Sequence, residues 1–500
     1  MEDSILHRAF HRQHHNLNME QWIKDNVPSL TDLLKRGRAR RKLNAESYAA
    51  SDVEKAGEVD DEGEEVDEDG EMEAKQPTKR KSYIRENYRE SCWWNFLQRD
   101  NLSDLTSRDG KTFRNRFTVP FQLFQELLLM ANAWFPQRLS DAYGKEVSPI
   151  ELKLLGTLRI LGKGCSWDLL YELSGVSAEV HRRWTLAFIA RFAKEMYPSY
   201  VHGPRNNSEM ENVSGFYAAS GFPGCIGSTD CVHIRWEKCP SVEATTYRNG
   251  KHTFTSIAYE MTVTHSKKFQ ATTIGHYGTT SDKIIVKFDG FVQDIRTKKR
   301  FTNAQYELQI SPNEWITEKG VYLLVDGGYH KWRIMQCPIK HTPDIDEIRW
   351  SEFAESIRKN VECSFGILKK RFQLLKIGIN WHNKNVIDNA VFSCVILHNM
   401  LHEFDGYDEK WENELHNAHN DKEEQAVLDK IRRRVVRTVE NNVDHSSVGK
   451  YDRNINDINF ANRLDVEDIE TSNKFIDLRS KLVQHLTNQY LEGKLKWIQI

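Results

Sequence analysis

The spacing of hydrophobic residues divides the chain into a helical part followed by a part rich in strands. Between residues 88 and 200, apolar residues recur three or four positions apart, as over 117–135 and 151–164, which predicts amphipathic helices. From Gly224 onward the pattern changes to short, β-branched runs that favour strands. The first three of these runs are 224–236, 254–266 and 268–278. The pattern therefore predicts an α/β protein in which a helical region precedes a sheet.

Within the helical part, residues 166–197 have the outline of a helix-turn-helix. Ser166 and Ser177 are placed to cap two helices, and Gly175 supplies the turn between them. A DNA-reading helix presents its first residues to the major groove. In the second helix the residues expected on that outer surface are Glu179, His181, Arg182 and Arg183. Many helical hairpins share this outline without binding DNA, so contact with DNA is one of two interpretations.

Two helices and one strand are predicted after the three runs. Residues 281–294 have a helical pattern that Ser281 would cap, 321–326 read as an apolar strand, and a long helix extends from about Ser351 to Leu375. The long helix has an apolar stripe of Phe353, Ile357, Val361, Phe365, Leu368 and Phe372. Beside it, within about 60°, lies a charged row of Glu355, Arg358, Glu362 and Lys369. This row would either line a cleft or form the ion pairs of an ordinary amphipathic helix.

Three acidic residues stand out against these elements. Asp230 lies in an apolar strand, where a carboxylate is costly unless it is paired or binds a metal ion. Asp326 ends a strand that is apolar throughout and precedes two glycines, so it would either meet a ligand or cap a turn. Glu362 is the acid of the long helix. Carboxylates delivered by two strands and a helix can hold a pair of divalent cations that drive phosphoryl transfer on nucleic acids.

The net charge of −2 conceals an uneven distribution. Residues 52–73 contain 13 acids and one base, so 69 bases and 59 acids remain elsewhere and give about +10. A basic body suits a polyanionic partner, although a merely soluble surface explains the charge equally well. With 500 residues, 39% of them hydrophobic, the chain is long enough for two or three packed domains and a tail.

Both ends of the chain are strongly charged. Residues 1–84 are expected to be a disordered tail, in which basic clusters at 35–42 and 75–81 flank the acidic run. These clusters are either nuclear import signals or parts of a solvated tail. Residues 406–500 are expected to be a charged, mostly helical tail that packs on the core or binds a partner.

The cysteines indicate an intracellular, reduced protein. The eight cysteines form no CxxC pair or compact disulfide spacing, and there is no signal peptide or apolar run of 18 residues, so no membrane association is expected. A zinc site has little support, because the residues that would build it lack the usual pairing rhythm. Those residues are Cys225, Cys231, Cys239 and His233.

Five motifs between about Phe222 and Phe404 resemble those of PIF/Harbinger-type DDE transposases, and they occur in the family order. They are TSDKIIVKFD (280–289), VDGGYHKW (325–332), CPIKH (337–341), RKNVECSFGILKKRF (358–372) and VILHNML (395–401). Asp326 and Glu362 are separated by 35 residues, the DD35E spacing of many transposases. The chain is therefore identified as resembling this family, in an active or a domesticated form.

The resemblance implies a fold and a mechanism. It implies an RNase H-like nuclease core, a mixed sheet flanked by helices, over 206–405, preceded by a helical domain over 85–205. Asp230, Asp326 and Glu362 would be the catalytic residues and the ligands of two Mg²⁺ ions, for which Mn²⁺ would substitute. One ion would activate the attacking water and the other would stabilise the leaving 3′ oxygen. The freed 3′-OH could then join a second DNA.

Several further residues are accessory candidates. Asp282 would be a further ligand or a helix cap, Arg358 would orient Glu362, and Lys369 would hold a phosphate. After Asp326, three residues lie close enough in sequence to touch DNA: Tyr329, His330 and Lys331. His398 and Asn399 are expected to satisfy buried polar contacts on a core helix.

The resemblance also implies partners. The DNA would be terminal inverted repeats and target DNA, and a separate Myb/SANT-like protein would assist binding and import into the nucleus, with some protein in the cytoplasm. Synapsis of two ends implies a homodimer or larger assembly. Two alternatives remain: a domesticated nuclear DNA- or chromatin-binding protein without nuclease activity, and a structure-selective nuclease that cuts without joining. The presence of all three acids favours an enzyme over the first.

Overall fold

The computed structural model of the protein describes residues 86–136, 140, 146–250, 253–407 and 468–495. The tail predicted over 1–84, with its basic clusters and acidic run, lies outside these residues, as does most of the region over 406–500. Among the described residues, no helix combines the length and the apolar character needed to cross a membrane.

Helices form the first part of the described chain, as the apolar spacing predicts. They are α1 (Cys92–Leu97), α2 (Arg108–Phe117), α3 (Phe121–Trp134), α4 (Ile150–Lys163), α5 (Trp167–Ser174), α6 (Ala178–Tyr200) and α7 (Asn207–Ala219). The helix-turn-helix outline is confirmed in α5 and α6. Ser166 Oγ accepts the Leu169 N–H at 3.2 Å, and Ser177 Oγ accepts the Val180 N–H at 3.4 Å. Gly175 takes the left-handed conformation between the two helices, with φ of 65°.

The second part of the chain is built on strands. They are β1 (Cys225–Arg235), β2 (Ser256–Val263), β3 (Phe269–Thr272), β4 (His276–Tyr277), β5 (Gln305–Ser311), β6 (Glu314–Lys319), β7 (Tyr322–Leu324) and β8 (Met335–Gln336). In the described residues a mixed sheet runs β3-β2-β1-β7-β8, and β4 also pairs with β2. The strand β1 is antiparallel to β2 and parallel to β7, and β7 is parallel to β8. The predicted α/β class with a helical N-terminal region is thus confirmed.

One short helix, α8 (Ala244–Tyr247), lies between β1 and β2. Three more lie between β4 and β5: α9 (Asp282–Ile285), α10 (Gly290–Thr297) and α11 (Lys299–Thr302). The single helix predicted over 281–294 is wrong, because Asp289 starts a new helix there. Its Oδ1 accepts the N–H groups of Phe291 and Val292 at the beginning of α10. Ser281 makes no side-chain cap.

The long helix predicted over 351–375 is divided into three: α12 (Ile345–Arg358), α13 (Asn360–Arg371) and α14 (Gln373–Ile377). Phe372 leaves the helical region, with φ of −113° and ψ of 87°, and its side chain is buried in the core. The predicted apolar stripe is otherwise present, and five of its members are buried: Ile357, Val361, Phe365, Leu368 and Phe372. The stripe therefore anchors the segment that carries Glu362.

The helix α15 (Lys384–Phe404) ties the helical region to the sheet. The Asn399 amide donates to the Tyr200 carbonyl of α6 and to the Phe269 carbonyl of β3, both at 2.7 Å. His398 Nε2 lies 3.0 Å from the Lys267 carbonyl oxygen. The side chains of His398 and Asn399 are both buried, as expected. One hydrophobic cluster consequently contains residues of α6, of β2 and of α15.

The last described helix, α16 (Asp468–Leu491), packs on the hairpin of β5 and β6. The sequence pattern did not predict this hairpin. His485 Nδ1 accepts the N–H of Gln309 in β5 at 2.9 Å, and the Asn488 amide donates to the carbonyl of Gln309 at 3.1 Å. These side chains satisfy backbone groups at the edge of β5. The described end of the chain therefore packs on the core.

Candidate active site

The pairing of β1 with β7 places two of the predicted acids side by side. Ser228 of β1 lies opposite Leu324 of β7 in the parallel register. Asp230 and Asp326 each follow two residues later, so Asp326, just past the end of β7, comes to the level of Asp230 on the neighbouring β1. The Gly328 N–H donates to Asp326 Oδ1 at 2.6 Å, which fixes this carboxylate at the turn after β7.

Arg358 joins the third acid to this pair. It ends α12, and its guanidinium donates to Glu362 Oε1 at 2.8 Å and to Asp230 Oδ2 at 3.3 Å. It also donates to Glu355, at 2.7 and 2.9 Å. Only 7% of the Arg358 side chain is exposed. The contact between Arg358 and Glu362 that their spacing predicts is present, and Asp230 and Glu362 share one cation.

The electrostatics of Asp230 show an excess of negative charge. The pKa of Asp230 is raised to about 6, chiefly by burial. The Cys231 N–H and Arg358 oppose this rise, and the charges of Asp326 and Asp282 contribute to it. Asp282, at the start of α9, therefore lies within electrostatic reach of the strand acids. A carboxylate held away from water among other carboxylates favours a bound cation.

The donor set fits a hard divalent cation in its chemistry, because every candidate ligand is a carboxylate. In the described ranges, however, no group of three or more His, Cys, Asp or Glu side chains is arranged to hold a metal ion. The Arg358 guanidinium lies between Asp230 and Glu362 and balances their charge. A cation shared by the three acids would have to displace Arg358 from at least one of them.

Lys369 does not face the acids as predicted. Its ammonium donates to the His233 carbonyl of β1 at 2.9 Å, and burial lowers its pKa. The expected phosphate contact must be corrected, because this geometry uses the ammonium to fasten α13 to the sheet.

The prediction that His181 lies on the outer surface of α6 is wrong. His181 is fully buried, and its Nε2 lies 2.8 Å from Ser174 Oγ. The imidazole fits because residue 156 of α4 is glycine, and a Cβ there would lie 2.2 Å from His181 Nδ1. Arg182 and Arg183 are exposed as expected, and Arg182 forms two hydrogen bonds with Glu179, at 2.7 and 2.8 Å.

The residues after Asp326 divide between the surface and the core. Lys331 is exposed, and its Nζ lies 2.9 Å from Cys337 Sγ. His330 is half-buried, stacked on Trp332, with Nε2 2.8 Å from the Lys283 carbonyl oxygen. Tyr329 is 1% exposed, so its predicted contact with DNA is wrong.

The hydroxyl of Tyr329 donates instead to a residue that the sequence patterns did not single out, Glu260 of β2. Glu260 is fully buried and is the one charged residue of β2. A lone acid in an otherwise apolar strand is the signal that could have identified it, by the reasoning that identified Asp230.

Comparison with known proteins supports the resemblance. Residues 198–409 match the family model described as "Plant transposon protein", and this range contains all three acids. The chain is 24% identical over 317 residues to "Protein ALP1-like" of Arabidopsis thaliana, covering 62% of this chain and 74% of the relative. It is 22% identical over 312 residues to "Putative nuclease HARBI1" of Homo sapiens, covering 61% of this chain and 80% of the relative. The rat protein of that name is also 22% identical. No solved structure matches the chain. These matches support the predicted resemblance to a transposase-derived, HARBI1-like family.

Proposed function

We propose that this chain belongs to the PIF/Harbinger-like family of transposase-derived nucleases, which its similarities support, and that it is a metal-dependent endonuclease that cuts DNA. The observation that carries the proposal is the parallel register that sets Asp230 beside Asp326, with Glu362 joined to Asp230 through Arg358. Three carboxylates from two adjacent strands and one helix suit the charge of a phosphodiester site served by divalent ions.

The sheet order supports an RNase H-like core. Its first three strands are antiparallel neighbours, and the later strands β7 and β8 add in parallel on the other side of β1. In such a core the central strand and its parallel neighbour would carry two acids, while a following helix would supply the third. Asp230, Asp326 and Glu362 have that distribution.

Each side chain has a role that follows from its surroundings. Asp230 and Asp326 would ligate together because they lie at one level of the sheet, and Glu362 would complete the set from α13. Two Mg²⁺ ions, or Mn²⁺ in their place, would supply an activated water and stabilise the leaving 3′ oxygen. Arg358 would orient Glu362 and neutralise part of the charge before metal binds.

The remaining proposals concern partners and location. DNA binding would involve Arg182 and Arg183 on the exposed start of α6, with Lys331 near Asp326. Terminal inverted repeats, target DNA, a Myb/SANT-like accessory protein and at least a homodimer belong to a transposition reaction, which would take place in the nucleus. Joining of the cut 3′-OH end to target DNA would distinguish a transposase from a nuclease that only cuts.

The test is nicking of supercoiled plasmid by the purified full chain in Mn²⁺ and in EDTA. We expect wild-type protein to nick only with metal and Glu362→Gln to lose at least about a hundredfold in rate. Glu355→Gln is the matched control, since Arg358 binds both glutamates and only Glu362 belongs to the proposed site. Equal rates for wild type and Glu362→Gln would refute the assignment of the third acid.

A second function is favoured by the position of Arg358. A guanidinium among these acids satisfies their charge without metal, as a DNA-binding protein that no longer cuts would require. Full DNA affinity, no nicking and no Mn²⁺ binding would establish this alternative.

A further inference from the structure

Glu260 lies behind the candidate site and contacts neighbours of both strand acids. The Thr229 hydroxyl donates to Glu260 Oε1 at 2.8 Å. The Tyr329 hydroxyl donates to Oε1 and Oε2 at 2.7 and 2.9 Å. Thr229 immediately precedes Asp230, and Tyr329 is the third residue after Asp326. All three members of this group are buried.

The sheet topology gives these contacts their significance. Because the strand order is β2-β1-β7, Tyr329 must reach from the turn after β7, past β1, to a carboxylate on β2. Successive side chains of a strand point to opposite faces, so Thr229 faces Glu260 while Asp230 faces the other side. The three hydrogen bonds therefore bind the turn of Asp326 to the two strands at the level of Asp230, from behind the acids.

The geometry points to Glu260 as a positioning residue that sets the separation of the Asp230 and Asp326 carboxylates through Thr229 and Tyr329. This inference rests on the proposed function for its catalytic consequence. The turn after β7 has two glycines, Gly327 and Gly328, and β7 itself ends at Leu324. Without the Tyr329 link the position of Asp326 would depend on this short turn. Groups that orient metal ligands typically change metal affinity by about 10- to 100-fold when removed.

The decisive comparison uses two buried tyrosines. Tyr329→Phe removes the hydroxyl that donates to Glu260. Tyr322→Phe is the matched control, because Tyr322 lies in β7, is equally buried, and its hydroxyl has no hydrogen-bond partner among the described residues. Two measurements are made on the full chain. The affinity for Mn²⁺ is obtained from the electron paramagnetic resonance signal of free Mn²⁺, and amide hydrogen exchange is followed in peptides covering 326–330.

We expect Tyr329→Phe to weaken Mn²⁺ binding by about 10- to 100-fold and to speed exchange in 326–330, with Tyr322→Phe matching wild type in both. In plasmid nicking, the Mn²⁺ concentration for half-maximal rate should rise in Tyr329→Phe more than the maximal rate falls. Glu260→Gln, which keeps an acceptor oxygen for Tyr329, should recover most of the affinity that Glu260→Leu loses. If the substitutions only loosened the fold, the Mn²⁺ affinity of Glu260→Gln would not exceed that of Glu260→Leu in this way.

Equal Mn²⁺ affinity and equal exchange in the two tyrosine variants would overturn the inference. Failure of the proposed function has a different signature: wild-type protein would bind no Mn²⁺ and nick no plasmid. In that case the catalytic part of the inference falls with it, and the exchange comparison still decides whether Glu260 holds the turn.

Discussion

Arg358 donates hydrogen bonds to Asp230, Glu355 and Glu362, and its own side chain is nearly inaccessible to water. Replacing it with methionine would leave three carboxylates without their shared counter-charge. We expect Arg358→Met to lower the unfolding free energy by about 1–3 kcal/mol, less than for a fully buried pair because Glu355 and Glu362 are partly exposed. Urea unfolding measures this change.

The same variant tests whether the acids bind a cation. If they do, added Mg²⁺ should raise the melting temperature of Arg358→Met more than that of wild type, since the ion no longer competes with a guanidinium. Arg182→Met is the control, because Arg182 pairs with one exposed glutamate on α6. An identical response to Mg²⁺ in all three proteins would contradict the competition.

His181 makes the stability of the helical region depend on pH. Burial, and to a lesser extent the charge of Lys153, lower the pKa of His181 to about 4. Between about pH 4 and 6.5 the unfolded chain therefore binds more protons than the folded one. The free energy of unfolding that the neutral His181 contributes is therefore highest above pH 6.5, and it falls by about 3 kcal/mol as the pH falls toward 4.

His181→Gln removes this titrating group. We expect the difference in unfolding free energy between pH 7 and pH 4.5 to be smaller in the variant, measured by urea denaturation at both values. His276 titrates in the same window, with a pKa lowered by burial to about 4, so only the difference from wild type is diagnostic. Equal losses of unfolding free energy in variant and wild type would show that folding does not lower the pKa of His181.

At the level of single residues, the sequence identified the two strand acids because each breaks the pattern of its element. Asp230 interrupts an apolar strand, and Asp326 ends one. His181 was misplaced because its burial depends on Gly156 of another helix, and no local pattern reports that contact. Glu260 carried a local signal, but its partner Tyr329 lies 69 residues away in sequence.

At the level of elements, periodicity predicted the apolar strands β1, β2, β3 and β7 and missed the half-exposed β5 and β6 and the two-residue β8. The hairpin of β5 and β6 alternates buried and polar residues only weakly, and β8 has two residues. The long predicted helix divides at the exposed Lys359 and at Phe372, and at Phe372 burial of the side chain in the core overrides a continuous helical pattern. Boundaries of this kind depend on tertiary contacts.

The helix α16 offers a test of whether the described end of the chain stabilises the core. Leu482 is fully buried in the cluster with β5 and α12, whereas Leu491 of the same helix is 73% exposed. We expect Leu482→Ala to lower the unfolding free energy by about 2–5 kcal/mol and Leu491→Ala to change it by less than about 0.5 kcal/mol. Guanidinium denaturation of both variants makes the comparison. Equal stability of the two would mean that α16 does not hold its place on the hairpin in solution.

At the level of the whole molecule, the helical region and the sheet share one hydrophobic cluster. The family match begins only at residue 198, yet Tyr197 of α6 exchanges hydrogen bonds with the backbone of Thr272 in β3. The sequence could indicate two regions by their different periodicities. It could not show that they pack together, because that depends on which apolar faces meet.

The distribution of charge gives a last prediction at this scale. Residues 52–73 contribute 13 acids and one base to a chain whose remainder is basic, by about 10 charges. If this run competes with DNA for the basic surface, changing its acids to Asn and Gln at unchanged length should tighten DNA binding several-fold in low salt. The gain should shrink as salt rises, because screening weakens both the intramolecular and the DNA contacts.

Deletion of 52–73 should act in the same direction, and the substituted chain separates the effect of charge from that of length. Fluorescence anisotropy with labelled duplex DNA over a range of salt concentrations measures both. A competing acidic segment also makes the salt dependence of wild-type binding shallower, since salt releases the competitor while it weakens the complex. Identical affinities and identical salt slopes in the three proteins would mean that the acidic run does not contact the DNA-binding surface.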